Sequence, residues 1–369
     1  MQHSIVYFPD YAHANPYQTL LYSGIDGIFN AQHGSIDDAR LKLQRQAFDN
    51  RVIFHLHWED ALYRHLPSAE AAFAECQRFL GELEAFLDGG GLFLWTLHNR
   101  APHDGRYLEV HQSLCEKLAV LADQIHLHSY AALEELERDR ALDRGRITVI
   151  PHGNYRPLFP NPGRLERTPD AAGRRFLLFG RLGAYKGGEG LVQSFAALPG
   201  NQAELVVAGK QIDPIDLTRL PEDVVARITV HNRFVSDGDL LQLFEEADFV
   251  VSPYRASLTS GTVLLAMSLA RPVIVPGLPT LAELVIDGDN GLVYPEGQPD
   301  GLHAALTRAE AMEPEAWRRM AGRAFATARR YDWRVIGHAL SGLFYRLIAK
   351  PRVRQAPGEG PVGVAEEPL

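Results

Sequence analysis

The sequence has little that would make it a secreted, membrane-spanning or nucleic-acid-binding protein. Only two of its 369 residues are cysteine, Cys76 and Cys115. They lie in separate helical-looking stretches, without metal-type spacing, so both are expected to be reduced and buried, as in the cytoplasm. No basic segment followed by an apolar run opens the chain (MQHSIVYFPDYAHANPYQ), so no secretory signal is expected. No run approaches the roughly 18 apolar residues of a membrane span. Positive charge is also short: the formal net charge is -9, which disfavours nucleic acid as the main partner. No helical His-Glu-x-x-His occurs, and no metal is expected.

What is present is an alternation of short apolar runs and longer amphipathic stretches. Ser4–Phe8, Val52–His57, Leu92–Leu97, Gln124–His128 and Ile147–Ile150 read as strands. Ser68–Asp88 reads as a helix opened by Ser68 and closed at Gly89-Gly90-Gly91, and His111–Ala122 as another. The proline-rich segment Pro151–Asp170 interrupts the pattern. It then restarts with Arg175–Phe179, Glu204–Ala208, Arg227–His231, Asp248–Ser252, Pro272–Val275 and Gly291–Tyr294. Two α/β domains follow, each a doubly wound parallel sheet, facing one another across a cleft. The boundaries are 1–155, 171–333, a C-terminal helix within 334–350, and a tail, 351–369, expected to be disordered.

In open parallel sheets the ligand lies beyond the carboxyl ends of the strands, so the residues after each strand carry the chemistry. After Arg175–Phe179 comes Gly180-Arg181-Leu182-Gly183-Ala184-Tyr185-Lys186-Gly187-Gly188. Glycine allows close backbone approach, and Arg181 and Lys186 are the two cations a diphosphate would need. After Asp248–Ser252, residues Ser260, Gly261 and Thr262 fall at a helix start, where free N–H groups favour an anion. A plain N-cap explains the Ser and Thr equally well. Gly209, Phe234 and Glu283 complete the donor-side candidates, Glu283 either bonding sugar or ribose hydroxyls or serving as a first-turn charge.

The N-terminal half holds 12 of the 15 histidines. His55-Leu56-His57-Trp58-Glu59-Asp60 and Thr96-Leu97-His98-Asn99-Arg100-Ala101-Pro102-His103-Asp104 both follow strands, and suggest acid–base work or sugar recognition. Alternation places the two imidazoles of His55 and His57 on one face, which also fits zinc, though no cysteine joins them in sequence. His126 and His128 read as structural.

In order and spacing, FGRLGAYKGG, VVAGK, ADFVVSPY, SGTVLLAMSLARPVIVP and LAELVIDGDNGLVYP resemble the GT-B glycosyltransferases of the GT4-like group. That resemblance implies that Arg181 and Lys186 hold the donor diphosphate, that His98 lies near the transferred sugar, and that the last helix crosses back to the first domain. Many of those enzymes carry two glutamates eight residues apart, where this chain has Ser257 and Leu265. Asn15-Pro16-Tyr17, His55-Leu56-His57-Trp58, Thr96-Leu97-His98-Asn99, Tyr185-Lys186-Gly187, Ser260-Gly261-Thr262 and Asp332-Trp333 are more specifically similar to the xanthan-type β-mannosyltransferases of exopolysaccharide assembly.

The resemblance implies hexose transfer, mannose from GDP-mannose favoured, to a glycan or polyprenyl-diphosphate-linked oligosaccharide. It would take place at the inner face of the cytoplasmic membrane, with no cofactor beyond the nucleotide sugar. An inverting transfer needs a base, and Asp104, Asp60 and His103 are the candidates, with His98 at the sugar. Residues 1–153 hold 13 Lys plus Arg against 21 Asp plus Glu, which offers no obvious polybasic stripe for an anionic membrane. The alternatives are a non-catalytic protein binding nucleotide sugar or glycan, or a nucleotide-sugar epimerase.

Overall fold

The computed structural model describes residues 2–350 apart from 14, 46, 48, 49, 103, 139–141, 162, 164–172, 201 and 213. Strands β1 (His3–Phe8), β2 (Phe29–His33), β3 (Val52–Leu56), β4 (Leu92–Thr96), β5 (Gln124–Leu127) and β6 (Ile147–Val149) form one parallel sheet in the order β2-β1-β3-β4-β5-β6. Strands β7 (Arg175–Phe179), β8 (Glu204–Ala208), β9 (Ile228–His231), β10 (Phe249–Val251), β11 (Val273–Pro276) and β12 (Gly291–Tyr294) form a second, in the order β12-β11-β10-β7-β8-β9. Every residue of β3 and β4 is buried, as expected of central strands covered by helices on both faces. The alternation of the sequence therefore gives the architecture correctly: two doubly wound α/β units.

The differences from the sequence reading have simple causes. Strand β2 was not predicted, because this edge strand (FNAQH) buries only Phe29 and shows no apolar run. Five strands end one residue early, leaving His57, Leu97, His128, Ile150 and Ser252 just past the ladder. The helix expected from His111 spans Leu108–Leu121, and the last helix spans Trp333–Ile348, opened by Asp332, which accepts the Arg334 N–H at 2.9 Å. Ser68 caps helix Ala69–Asp88 as predicted, accepting from Ala71 at 3.2 Å.

The last helix packs against the first sheet's layer. A Cβ on Gly337 would lie 2.3 Å from the Gly24 carbonyl carbon, so the last helix can approach the end of helix Tyr17–Ser23 this closely because both positions are glycine. Polar contacts fix the register: Asp26 N–H donates to Ser341 Oγ (2.9 Å), Tyr345 donates to Asp26 (3.0 Å), and Lys350 donates to the Asp123 carbonyl (2.8 Å). The predicted tail 351–369 lies outside the described residues. Among the described residues no helix is long and apolar enough to cross a membrane.

Strand order reverses between β1 and β3 in the first sheet and between β7 and β10 in the second. The crevices at those two points are where a ligand of such sheets belongs.

Candidate active site

A cavity of about 330 Å³ opens where the two crevices meet. Its second-sheet wall consists of Tyr185, Lys186, Tyr254 and residues 256–262; its first-sheet wall includes Asn15, Tyr17, Trp58, His98 and Glu135. The loops that form the second wall need glycine. Gly180 (φ 120°) and Gly209 (φ 137°) are both left-handed, and a Cβ on Gly209 would sit 1.8 Å from the Gly180 oxygen. These two glycines let the loops after β7 and β8 cross in backbone contact.

Lys186 ends the short turn Ala184–Lys186 and is 7% exposed. Its Nζ donates to Tyr254 Oη at 2.8 Å. Burial alone would lower the ammonium pKa, but Tyr254, Tyr185 and the hydrogen bond outweigh it, so the net shift is upward. Burial would likewise raise the Tyr254 phenol, yet Lys186 and hydrogen bonds from Lys186, Ser260 and Thr262 bring it below its ordinary value. The two shifts agree: a fixed ammonium faces an electron-rich oxygen. Ser260 caps helix Gly261–Ser268, its Oγ accepting from Val263 N–H (3.2 Å) and donating to Tyr254 (3.1 Å). The plain N-cap is thus realised, and Ser260, Gly261 and Thr262 line the cavity as well. Gly261 has no alternative there, since a Cβ would lie 2.7 Å from Tyr155 Oη.

Other donor-side candidates are placed differently. Arg181 is exposed and does not line the cavity; its charge acts on Tyr11, Asp60 and Tyr185. Phe234 is 67% exposed and lines neither described cavity. Glu283 lies in a second cavity of about 160 Å³ with His128, His152 and Tyr331. There its Oε1 accepts the Ala131 N–H at 2.6 Å, at the start of helix Tyr130–Glu137, so this carboxylate bridges the two halves rather than facing the main cavity. Of the positions that match the glutamate pair, Ser257 lines the cavity while Leu265 is core.

On the first sheet the pairs His55/His57, Thr96/His98 and His126/His128 each sit two residues apart and project from one face. The parallel register sets them side by side. Their hydrogen bonds have one direction. The Ile150 carbonyl can only accept, so His126 Nε2 donates to it (2.8 Å) and His126 Nδ1 accepts from Thr96 Oγ1 (2.9 Å). Thr96 then accepts from His55 Nε2 (2.7 Å), and His55 Nδ1 accepts from Tyr22 Oη (2.7 Å). Tyr22 accepts from His57 Nε2 (2.9 Å), and His57 Nδ1 accepts from His98 Nε2 (3.1 Å). Six hydrogen bonds thus assign every tautomer between Ile150 and the cavity. His98 is further held by stacking on Trp58, at 4.2 Å and 14°.

Of the four catalytic candidates, His98 lines the cavity and His103 lies outside the described residues. Asp60 and Asp104 line neither cavity. Asp104 is exposed and accepts the Arg106 N–H at 3.1 Å. The Asp60 side chain is 13% exposed, 3.7 Å from Arg64. Burial raises its pKa, Asp104 adds to the rise, and Arg64 and Arg181 oppose it. The carboxylate that does line the cavity, Glu135, faces Arg100 at 3.4 Å. Glu135 and Tyr155 are absent from the sequence candidates, and Tyr17 and Tyr254 stand there only inside the motifs of the resemblance, with no role in the site. Tyr254 also has a positional signal, standing two residues after the expected strand Asp248–Ser252.

Comparison with known proteins agrees with this geometry. Residues 173–311 match the family described as glycosyl transferases group 1. The chain is 29% identical over 287 residues to the GDP-mannose:glycolipid 4-beta-D-mannosyltransferase of Xanthomonas campestris pv. campestris, covering 77% of this chain and 76% of that protein. It is 28% identical over 196 residues to the phosphatidyl-myo-inositol mannosyltransferase of Mycolicibacterium smegmatis, 51% and 48% of the two chains. Among solved structures, Anabaena HepE in complex with UDP and glucose superposes with TM-score 0.64 at 14% identity, covering 94% of this chain and all of that one. Sucrose-phosphate synthase of Thermosynechococcus elongatus superposes with TM-score 0.65 at 18% identity, covering 95% and 100%. The fold is GT-B, and the protein is a glycosyltransferase whose residues 173–311 match the group 1 family.

Proposed function

We propose that this glycosyltransferase moves mannose from GDP-mannose to a glycolipid, a polyprenyl-diphosphate-linked oligosaccharide of exopolysaccharide assembly, as a peripheral protein at the inner face of the membrane. The observation that carries the reading is the buried Lys186–Tyr254 pair beside the start of helix Gly261–Ser268, in a cavity shared by both sheets. Similarity to the Xanthomonas enzyme across both halves favours mannose and a glycolipid. The donor diphosphate would lie against Lys186 and the N–H groups of Gly261 and Thr262, which stabilise the charge that develops as the sugar leaves. The sugar would point toward His98 and Trp58.

The base is assigned to Asp60, a largely enclosed carboxylate on the turn after β3, beside Arg64 and in the field of Arg181. Asp60→Asn should lower kcat by about 10²–10⁴ with donor affinity kept. Glu135→Gln should cost less than about tenfold, because its partner is Arg100. The reverse ranking would move the base to Glu135.

The donor reading is tested by melting the protein with GDP, UDP, ADP and their sugars. At 100 times its Kd a true ligand adds about 2.7 kcal/mol of stability. GDP and GDP-mannose alone should raise the Tm. A shift by UDP or ADP compounds instead would overturn the donor assignment and leave the fold intact.

A further inference from the structure

A second cluster of chemically active side chains lies behind the cleft. His111 and Cys115 are one turn apart on helix Leu108–Leu121, and Glu59 opens the turn Glu59–Leu62. All three are at most 2% exposed. Cys115 Sγ is 3.5 Å from His111 Nε2 and 4.0 Å from a Glu59 oxygen, and that oxygen is 3.9 Å from His111 Nε2. The Arg100 carbonyl lies 3.3 Å from the same nitrogen. A tetrahedral zinc, with bonds of ~2.3 Å to sulfur and ~2.0–2.2 Å to nitrogen and oxygen, holds its ligand atoms ~3.3–3.6 Å apart. Two of these four edges already match, and the two at Glu59 need to close by a few tenths of an ångström.

We propose that Glu59, His111 and Cys115, with the Arg100 carbonyl in the fourth position, form a structural zinc site. Charge favours it: a thiolate and a carboxylate neutralise a divalent cation, and an uncharged complex is the form a sealed interior accepts. The thiolate selects zinc over magnesium or calcium. Partners for the outer atoms of the ligands are in place. Tyr63 Oη lies 2.8 Å from His111 Nδ1, where it accepts that N–H and leaves Nε2 to the metal, and Trp95 Nε1 donates to the other Glu59 oxygen at 3.3 Å. Four protein ligands leave no open position, so the ion is structural. It would tie together three segments that flank the cleft: the turn after Trp58, the loop after His98, and helix Leu108–Leu121.

The full chain, purified without chelator, should carry about one zinc by elemental analysis. Cys115→Ser and His111→Ala should lose it, and Cys76→Ser, at the other buried cysteine, should keep it. Wild type reloaded with cobalt should show thiolate-to-cobalt absorption in the near ultraviolet. Two results would overturn the site: no cobalt–thiolate band with under about a tenth of a zinc per chain after incubation with zinc, or zinc kept undiminished by Cys115→Ser. If the variants do not fold, the wild-type cobalt spectrum decides alone.

Discussion

Lys186→Ala should lower kcat/KM by at least about 10³-fold and abolish the melting shift given by the nucleotide diphosphate. The size follows from where the charge sits. The ammonium is enclosed, hydrogen-bonded to Tyr254 at 2.8 Å, and shifted toward its charged form in spite of burial. A cation so placed meets the leaving diphosphate without reorganising, and its loss removes the interaction where water screens it least. Lys186→Arg should not rescue the variant, because the site holds a compact charge 4.3 Å from the Tyr254 ring and 2.8 Å from its oxygen, an arrangement that a planar fork on a longer stem does not reproduce. Tyr254→Phe keeps the charge and removes only its orienting oxygen, so about a tenfold loss is expected. A Lys186→Ala enzyme that kept more than about a tenth of wild-type kcat/KM would show that the diphosphate binds elsewhere, with Arg181 then the first residue to test.

How far the sequence could lead is best judged residue by residue. Lys186, His98 and residues 260–262 were legible because each follows a strand, and in a doubly wound sheet the carboxyl ends converge on the ligand. Arg181 and Glu283 obeyed the same rule and still went elsewhere, Arg181 to the exposed rim and Glu283 to the N-terminus of helix Tyr130–Glu137. Position after a strand fixes the edge of the sheet, not the direction of the side chain. The histidines show the converse. That His55 and His57 share a face follows from alternation alone, but their partners Thr96 and His98 stand 41 residues away, and only sheet register brings them together. The zinc reading attached in sequence to His55 and His57 therefore lands on a hydrogen-bonded chain. The cluster that does resemble a metal site joins Glu59 to His111 and Cys115 across about fifty residues.

That histidine layer should make the protein acid-labile. His126 and His152 are fully enclosed, and burial depresses both to about 4. His55 and His128 are also lowered well below the ordinary imidazole value, by burial first and then by the neighbouring imidazoles. Above the unfolded value of about 6.5 these side chains are neutral in both states, and their contribution to stability is fully present. As pH falls below that value the unfolded chain takes up protons that the fold refuses. Stability is lost at about 1.4 kcal/mol per pH unit for each histidine, down to its folded pKa. Four such residues give about 5 kcal/mol per unit, against a total of about 5–15 kcal/mol for a typical domain. Most carboxylates titrate lower, so a loss between about pH 6.5 and 5.5 belongs to the imidazoles. Urea unfolding at pH 7.5, 6.5 and 5.5 should show it directly, with the midpoint falling slightly over the first step and steeply over the second. A midpoint unchanged at pH 5.5 would mean that the layer accepts protons, and that the fixed tautomers leading to His98 are not held against acid.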